Sequence, residues 1–253
     1  MMTMADLDAT SLLLTRVRIV GAGRAGGAFA GALVSVGVDV DFADRHDLSA
    51  AAGDVDLVMI CTPDDAISEV ARSIDPGPAV VAHCSGSRRL DVLAPHERRC
   101  SVHPLMSLPN PTIGAARLLD GCQFAVAGDP AGPTMVALLG GIAFNVADDD
   151  RSAYHATASV AANHLVALCA EVEALAGRLD IDPAGFWPMM QTTLADVAEH
   201  GSTAALTGPV ARGDWATVRA HLDALEKEQR EPYIALARVA ARVAGRVLPS
   251  DLT

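Results

Sequence analysis

Hydrophobic and polar positions follow two different patterns along the chain. Over residues 16–148, short apolar and β-branched runs such as "VRIV", "DLVMI" and "AVVAH" alternate with stretches of helical periodicity. Strands that alternate with helices predict an α/β fold with a mostly parallel, doubly wound sheet. Over residues 149–253 only helical periodicity remains, which predicts an all-helical second domain. Residues 1–15 are expected to form a flexible N-terminal tail.

The second domain divides into four predicted helices. The apolar spacing places them at about residues 152–178, 184–200, 214–229 and 232–247. Asp214 is a candidate N-cap, because its carboxylate can accept hydrogen bonds from the amides of the first helical turn. Pro232 suits the first turn of the last helix, where its missing N–H removes no hydrogen bond.

A glycine turn joins the first predicted strand to the first predicted helix. Gly21, Gly23 and Gly26 form the pattern GxGxxG, with Arg24 and Ala25 inside it. The first glycine permits a tight turn, the second lets a pyrophosphate approach the backbone, and the third lets helix and strand pack closely. Free N–H groups and the helix dipole would hold the anion. The pattern predicts a dinucleotide cofactor, and a purely structural turn is the alternative.

Charged residues near the end of the second predicted strand bear on the choice between NAD and NADP. Asp44 lies about 20 residues past the glycines, where a carboxylate can bind the adenosine ribose and repel a 2′-phosphate. Arg45 is adjacent, and Arg24 lies in the glycine turn, so that either guanidinium could pair with a 2′-phosphate. The sequence leaves both cofactors open and slightly favours NAD.

The carboxyl ends of two further strands supply more candidate cofactor contacts. Thr62 and Pro63 follow the strand "DLVMI", and Ser85 follows "AVVAH". Ligands of open α/β sheets bind at this edge, so we expect these residues near the ribose and nicotinamide. A turn or cap role is an equally good interpretation of residues of these types.

The stretch "YHATASVAANH" carries a polar stripe on an otherwise apolar helix. Residues four apart on an α-helix are offset by only about 40°, so His155, Ser159 and Asn163 share one face, whereas Tyr154 and His164 do not. A reductase needs a donor that stabilises or protonates the atom left after hydride reaches a carbonyl or imine carbon. The stripe therefore predicts catalytic groups, and mutual hydrogen bonding inside a helical bundle is the alternative.

His103 is a second candidate proton donor. It ends the fifth predicted strand in "VHPL", and Pro104 fixes the exit of the chain, which would hold the imidazole at the rim of the cofactor cleft. Both His103 and His155 are expected to titrate near neutral pH. The sequence does not decide which histidine transfers the proton and which one positions the substrate.

The segment "LTGPVARGD" is a candidate substrate-binding turn between two predicted helices. Thr207 offers a hydroxyl, and Arg212 offers a planar fork suited to a carboxylate. Arg212 is expected near a helix N-terminus, where a cation opposes the helix dipole and a bound anion would relieve the conflict. An exposed arginine without a ligand is the alternative.

Composition narrows the classes of function. The net charge of −12 argues against a nucleic-acid partner, because neutralising phosphates takes clustered Lys and Arg. The five cysteines are scattered and no residues recur at metal-ligand spacing, so neither a disulfide framework nor a metal site is expected. The N-terminus lacks the positive charge of a signal peptide, and no window is interpreted as a membrane span. These features predict a cytoplasmic protein.

Six motifs, in this order, resemble one family: "VGAGRAG", "CTPDDAI", "HCSG", "VHPL", "YHATASVAANH" and "TGPVARGD". They are similar to Rossmann-like oxidoreductases that pair an NAD(P)-binding domain with a helical C-terminal domain of unknown function. More distantly, the chain resembles pyrroline-5-carboxylate reductase, ketopantoate reductase, prephenate dehydrogenase and the β-hydroxyacid dehydrogenases. The resemblance implies a Rossmann-type domain and an NAD(P) cofactor.

Two mechanisms of these distant relatives do not carry over intact. In β-hydroxyacid dehydrogenases a Lys-x-x-x-Asn pair on the interdomain helix does the acid–base work, and the matching positions here are Ser159 and Asn163, without the lysine. The pair His103–Pro104 is similar to the motif that carries a functional histidine in prephenate dehydrogenases, but the small residues that follow there are absent. The chemistry is therefore implied only as a class.

The sequence thus predicts an NAD(P)-dependent oxidoreductase that acts on a small carboxylated ketone or imine, with a 2-oxo acid such as ketopantoate as the leading candidate. Thr207 and Arg212 would bind the carboxylate, and one of the two histidines would act as acid or base while Asn163 and Ser159 orient the reacting group. A non-catalytic dinucleotide-binding redox sensor or regulatory protein is the alternative. The Ala-rich helical domain, with few charges on its apolar faces, also predicts a homodimer.

Overall fold

The computed structural model describes residues 14–44 and 46–252. Its strands are β1 (Arg16–Val20), β2 (Asp39–Phe42), β3 (Leu57–Ile60), β4 (Val80–His83), β5 (Arg99–Pro104), β6 (Gln123–Gly128) and β7 (Ile142–Asn145). They form one seven-stranded sheet in the order β2-β1-β3-β4-β5-β6-β7. All neighbours pair in parallel except β5 and β6, which are antiparallel. The predicted α/β fold with a mostly parallel sheet is confirmed.

Eleven α-helices lie within the described residues. They are α1 (Arg24–Ser35), α2 (Ile67–Arg72), α3 (Pro111–Leu119), α4 (Ala131–Leu138), α5 (Arg151–Ser159), α6 (Leu165–Arg178), α7 (Trp187–His200), α8 (Ser202–Ala205), α9 (Gly208–Arg212), α10 (Trp215–Ala224) and α11 (Lys227–Val243). A π-helical turn, Val160–His164, joins α5 to α6. As predicted, no strand occurs in the described residues after β7.

The central strands are buried on both faces, which explains their continuous apolar runs. Successive residues of β3 point to opposite sides of the sheet. Leu57 and Met59 belong to a hydrophobic cluster with α1, α3 and α4, whereas Val58 and Ile60 belong to a second cluster with α2. Because helices cover both faces, the functional groups of the sheet are left at its strand ends.

The described chain forms two compact units, one that ends at Asn163 and one that begins at His164. The predicted domain boundary after residue 148 lies just before α5, so α5 groups with the sheet in this division. Leu14 and Thr15 were expected in the flexible tail, but Leu14 is buried in the core and the Thr15 amide donates to the Asp56 carboxylate at 2.7 Å. The rest of the predicted tail lies outside the described residues.

Two details of the predicted helices in the second unit are wrong. The helix expected over 214–229 is interrupted between α10 and α11, because Glu226 forms a capping box that begins a new helix. Pro232 therefore lies inside α11 rather than in its first turn. The prediction for Asp214 is confirmed, since its carboxylate accepts a hydrogen bond from the Thr217 amide at 3.1 Å and caps α10.

The helical stretch Asp148–Arg178 is long and apolar enough, by length and composition alone, to cross a membrane. It has 31 residues, and it is the one such stretch in the part of the chain that the structure describes. The expectation that no window has these properties is wrong, because the uncharged run rich in Ala, Val and Leu continues through the π-helical turn. Within the described residues, 6% of the apolar window is buried.

Acid should destabilise the first unit through His83 before most carboxylates titrate. Burial, followed by the nearby Arg151 charge, lowers the pKa of the fully buried His83 to about 4 from an ordinary value of 6.5. Between these two pH values the unfolded chain binds more protons than the folded chain. The contribution of His83 to the free energy of unfolding is therefore fully present above pH 6.5 and is lost as the pH falls toward 4. Urea titrations at several pH values should show a loss of about 1–3 kcal/mol attributable to this group.

Replacing His83 with Gln should remove that part of the pH dependence. The exposed His200, changed to Gln, is the matched control and should leave the slope as in the wild type. An H83Q protein whose free energy of unfolding still falls as steeply between pH 6.5 and 4 would contradict this account.

Candidate functional site

The glycine turn has the geometry that the GxGxxG pattern predicted. Gly21 has a φ of +104°, a left-handed conformation that favours glycine, and a β-carbon there would lie 2.9 Å from the Cys61 carbonyl oxygen. A β-carbon on Gly26 would lie 1.8 Å from the Gly21 carbonyl oxygen, so only glycine allows α1 to begin this close to β1. Nothing lies within 4 Å of a β-carbon built on Gly23, which leaves the backbone open to a ligand.

A cavity of about 590 Å³ lies in front of this turn. Its lining residues come from the turn, the loop after β3 and the loop after β5: Gly23, Arg24, Ala25, Cys61, Thr62, Pro63, Ser107, Leu108 and Pro109. Helix α1 has no side-chain N-cap and no acidic residue in its first turn, so its amide groups and dipole are available to an anion. The buried Thr62 hydroxyl has no hydrogen-bond partner among the described residues. These features fit a dinucleotide.

Asp41 and Asp44, which both lie near the end of β2, differ in their contacts. Arg18 lies opposite Asp41 in the β1–β2 register and binds it with two contacts of 2.7 Å, which lowers the pKa of that carboxyl. Both groups are therefore engaged with each other. Asp44 is exposed and accepts one hydrogen bond, from the His46 amide at 2.9 Å. Asp44 lines a cavity of about 230 Å³ and remains the better candidate for a ribose contact.

Of the two arginines that could bind a 2′-phosphate, the structure describes only Arg24. Arg24 is exposed, lines the cavity of about 590 Å³, and forms no ion pair with the described residues. Arg45 lies outside the described residues. The geometry thus leaves Arg24 free for an anion.

The hydroxyl of Ser85 is engaged inside the protein. It donates to Asp64 Oδ2 at 2.7 Å and accepts from the amides of Ser87 at 3.2 Å and Arg88 at 3.1 Å. The side chain therefore organises the turn after β4, which was the alternative interpretation of this residue. Its link to Asp64 ties this turn to the loop after β3.

A second cavity, of about 380 Å³, brings together all four predicted catalytic residues. His103 at the end of β5 lines it, together with His155, Ser159 and Asn163 of the α5 region. The π-helical turn contributes to this arrangement, because its wider i→i+5 bonding reduces the rotation per residue. Asn163 is thereby turned back toward Ser159, closer than the 40° offset expected on a regular α-helix.

Sequence reasoning missed Tyr154 because it lies off the polar stripe. Its hydroxyl is 2.7 Å from His103 Nδ1, and the two rings meet edge to face with centroids 5.5 Å apart. His155 also meets His103 edge to face, at 5.9 Å. An aromatic residue with a polar tip beside the stripe was the only signal in the sequence, and its partner lies 51 positions away.

The expectation that His103 titrates near neutral pH is wrong. Burial, followed by the neighbouring His155 and Arg151, lowers the pKa of His103 to about 4. The ring is therefore neutral at physiological pH. It can donate one hydrogen bond and accept another, but it is not a reservoir of positive charge.

Arg151 is a further residue that the sequence did not single out. It is fully buried at the start of α5, and its NH2 group donates to the Ser101 hydroxyl and the Ser85 carbonyl. Its Nε and NH1 atoms have no hydrogen-bond partner among the described residues. A buried cation without a carboxylate partner is costly and is typical of functional sites. Its charge reaches both His103 and Tyr154.

The second unit holds the two predicted substrate-binding residues. Thr207 precedes α9 and lines a cavity of about 310 Å³ together with His221 and Tyr233. Arg212 is exposed and ends α9, a short helix that the sequence did not predict. The expected conflict between Arg212 and a helix dipole is wrong, since a cation is favoured at a helix C-terminus. The carboxylate-binding role of both residues stays a prediction.

Metal-ligating residues do not cluster in the part of the chain that the structure describes. No group of three or more His, Cys, Asp or Glu side chains with metal-binding geometry occurs within residues 14–44 and 46–252.

The C-terminal part of the chain matches a known family model. Residues 123–240 match a domain of unknown function, DUF2520. This stretch begins with β6 and includes most of the second unit, in agreement with the resemblance to a family with a helical C-terminal domain of unknown function. No curated protein matches the chain.

Solved structures share the fold over nearly the whole chain. Protein TM1727 of Thermotoga maritima is 24% identical, with a TM-score of 0.73 over 90% of this chain and 98% of its own. A proposed NADP oxidoreductase of Bacteroides fragilis is 19% identical, with a TM-score of 0.75 over 92% and 100%. Pyrroline carboxylate reductase of Plasmodium falciparum, with NADP bound, is 10% identical, with a TM-score of 0.60 over 91% and 98%. At these identities the likeness establishes a Rossmann-type fold with C-terminal helices.

Gly86 should be indispensable to the arrangement of the two histidines. A β-carbon at this position would lie 2.7 Å from His155 Cδ2 and 2.8 Å from His103 Nε2, closer than real β-carbons come. Gly86→Ala should therefore displace both rings, lower the free energy of unfolding by about 1–3 kcal/mol, and shift their imidazole NMR signals. Gly185→Ala is the control, because a β-carbon there meets nothing within 4 Å. Unchanged imidazole signals in G86A would rule out this packing.

Proposed function

We propose that the protein is an NAD(P)-dependent oxidoreductase that transfers hydride between nicotinamide and the ketone or imine carbon of a small carboxylated substrate. One observation carries the proposal: the cavity at the glycine turn and the cavity of the histidines share the lining residue Ser107, and so adjoin. A nucleotide held at the glycine turn would place its reactive ring toward the edge of the sheet where His103 and His155 lie.

The bound cofactor would supply or accept the hydride, and the chain's own residues would handle position and protons. The amides at the start of α1 would hold the pyrophosphate, with Thr62 and Pro63 beside the ribose and nicotinamide. Asp44 would bind the adenosine ribose, which favours NAD, while Arg24 would accommodate a 2′-phosphate if NADP binds. Ser85 would act indirectly, by shaping the turn after β4.

Proton transfer is assigned to the second cavity. When hydride reaches a carbonyl or imine carbon, negative charge or a basic nitrogen develops on the neighbouring atom. His103 and His155 line the cavity where such an atom would lie, and Asn163 and Ser159 supply hydrogen bonds that orient it. Donors of this kind typically contribute about 10²–10⁴-fold to the rate.

A carboxylated substrate is suggested by one protein of the same fold and by two residues of the second unit. The name of the pyrroline carboxylate reductase with this fold denotes a cyclic imine that bears a carboxylate. Thr207 and Arg212 keep their proposed role as carboxylate ligands. Nothing in the described residues favours ketopantoate over other 2-oxo acids or imino acids. We also propose that the protein acts in the cytoplasm, as its scattered cysteines indicate.

Nucleotide binding and turnover should respond differently to His155→Ala. Fluorescence titration of the wild type should show binding of a reduced nicotinamide nucleotide. If the Asp44 carboxylate contacts the adenosine ribose, NADH should bind more tightly than NADPH. The H155A protein should keep this affinity, because the ring of His155 lines the cavity of the histidines and not the cavity at the glycine turn. Its turnover with 2-oxo acids or imines should fall about 10²–10⁴-fold. His164→Ala is the matched control, since His164 lies on the same helical stretch but does not line the cavity.

Two outcomes of this experiment would contradict the proposal. If neither nucleotide binds at millimolar concentration, the glycine turn is purely structural and the oxidoreductase interpretation fails. If a nucleotide binds but no member of a broad ketone and imine panel is turned over, the non-catalytic redox sensor becomes the better interpretation.

We further propose that α6 and α7 form a homodimer interface. Each helix has 14 residues, and of these only Ala176 is buried. Large apolar side chains are left exposed on them, including Val166 at 69%, Met189 at 60% and Leu194 at 59%. Met189 and Leu194 line an apolar cavity of about 470 Å³ that residues of the two helices form. Helices with so little burial need a partner surface, and a second copy of the chain supplies a matching apolar face.

Sedimentation velocity should give about twice the chain mass of 26.1 kDa. A charge in the exposed apolar patch should weaken the dimer strongly, so Leu194→Glu should sediment mostly as a monomer at micromolar concentration. Val247→Glu is the control, because Val247 is 88% exposed but lies outside α6 and α7. A wild-type monomer at high concentration, or an L194E dimer as tight as wild type, would exclude this interface.

A further inference from the structure

Two tyrosine–histidine pairs of similar geometry occur in this chain, and one lies at the candidate site. The chain has two tyrosines, Tyr154 and Tyr233. The Tyr154 hydroxyl is 2.7 Å from His103 Nδ1, and the Tyr233 hydroxyl is 2.7 Å from His221 Nδ1. Both ring pairs meet edge to face. The second pair lies in the other unit and provides an internal control for the first.

Tyr154 engages only one of the two ring nitrogens of His103. Nδ1 is taken by Tyr154, whereas Nε2 has no hydrogen-bond partner among the described residues. The ring lines the cavity of about 380 Å³, and Gly86 packs against its Nε2 and Cε1 atoms. A neutral imidazole carries one proton, and the hydrogen bond at one nitrogen decides whether the other nitrogen carries it. The direction of the Tyr154 contact therefore decides what the ring offers to a ligand.

Buried positive charge favours the tyrosine as the donor in this contact. Arg151 lies close enough for its charge to act on both Tyr154 and His103. A cation draws the lone pairs of the phenol oxygen toward itself, which turns the O–H toward His103. The same charge, with burial and the adjacent His155, opposes a second proton on the His103 ring, while Asp64 acts weakly in the opposite sense. The ring is thus a neutral acceptor at Nδ1.

We propose that Tyr154 is a positioning residue: it donates its hydroxyl hydrogen to His103 Nδ1 and so holds the neutral ring in the tautomer with the proton on Nε2. This proposal rests on the proposed function of the cavity. The Nε2–H group then faces the oxygen or nitrogen of the reacting substrate and donates a hydrogen bond as charge develops there. Without Tyr154 the ring of His103 loses its preference for this tautomer. In part of the molecules Nε2 then carries a lone pair instead of the proton that it would donate.

The tautomer can be read directly by long-range ¹H–¹⁵N NMR of the protein labelled in its histidines. In the wild type, His103 should show the Nε2–H pattern from pH 5 to pH 8. In Tyr154→Phe the Nδ1–H form should become populated, while Tyr233→Phe should leave His103 unchanged and alter His221 instead. Thermal unfolding of each variant confirms that it is folded, and loss of the signal in His103→Gln gives the assignment.

Kinetics supplies the second measurement. Once a substrate is found, Y154F should lower kcat about 10- to 100-fold, with KM and the nucleotide Kd within about twofold of wild type. A merely structural role would change binding and stability together and would leave the tautomer of the remaining folded protein as it was.

The outcomes separate this proposal from the proposed function. An Nδ1–H tautomer in the wild type, or an unchanged tautomer in folded Y154F, overturns the role of Tyr154 whatever the protein's activity. The wild-type spectrum decides this point even if Y154F fails to fold. A protein that binds no nucleotide overturns the proposed function, and the tautomer measurement still stands on its own.

Discussion

The candidate site depends on one steric constraint, the contact between the start of α1 and the end of β1. A β-carbon on Gly26 would lie 1.8 Å from the Gly21 carbonyl oxygen, so the helix can begin there only because the position is glycine. This contact aims the free amides of α1 at the carboxyl edge of the sheet. Since β1, β3, β4 and β5 pair in parallel, the loops that follow these four strands all begin at that same edge. The contact between Gly26 and Gly21 thus directs the amides of α1 to the edge of the sheet where these loops begin.

A second close approach brings together groups from different elements. His103 comes from β5 and His155 from α5, and both rings pack against Gly86 in the turn after β4. That turn is held by the hydroxyl of Ser85, whose hydrogen bonds are all made within the protein. Gly86, Ser85 and the two rings therefore pack together at one corner of the site. Donors that such contacts hold in place before a ligand arrives lower the cost of reorganisation during a reaction.

The burial of Arg151 works against stability and for the chemistry of the site. The side chain is fully buried and has two nitrogen atoms without partners among the described residues. It also lies at the start of α5, where the helix dipole opposes a cation. The same charge helps to keep His83 and His103 neutral, with pKa values of about 4. A neutral imidazole in a largely buried corner is a better directed hydrogen-bond donor than one that exchanges its proton with solvent.

The sequence by itself determined the parallel sheet, the glycine turn and the polar stripe of α5, because each follows from local periodicity or from the steric needs of glycine. It did not determine the Tyr154–His103 pair, whose members lie 51 positions apart, or the neutral state of His103, which depends on burial and on Arg151. The engagement of Ser85 likewise depends on Asp64, 21 positions away, and the sequence did not predict the π-helical turn. Local patterns specify which groups are available, and only the tertiary structure decides which of them meet, because pKa and tautomer are properties of the surroundings.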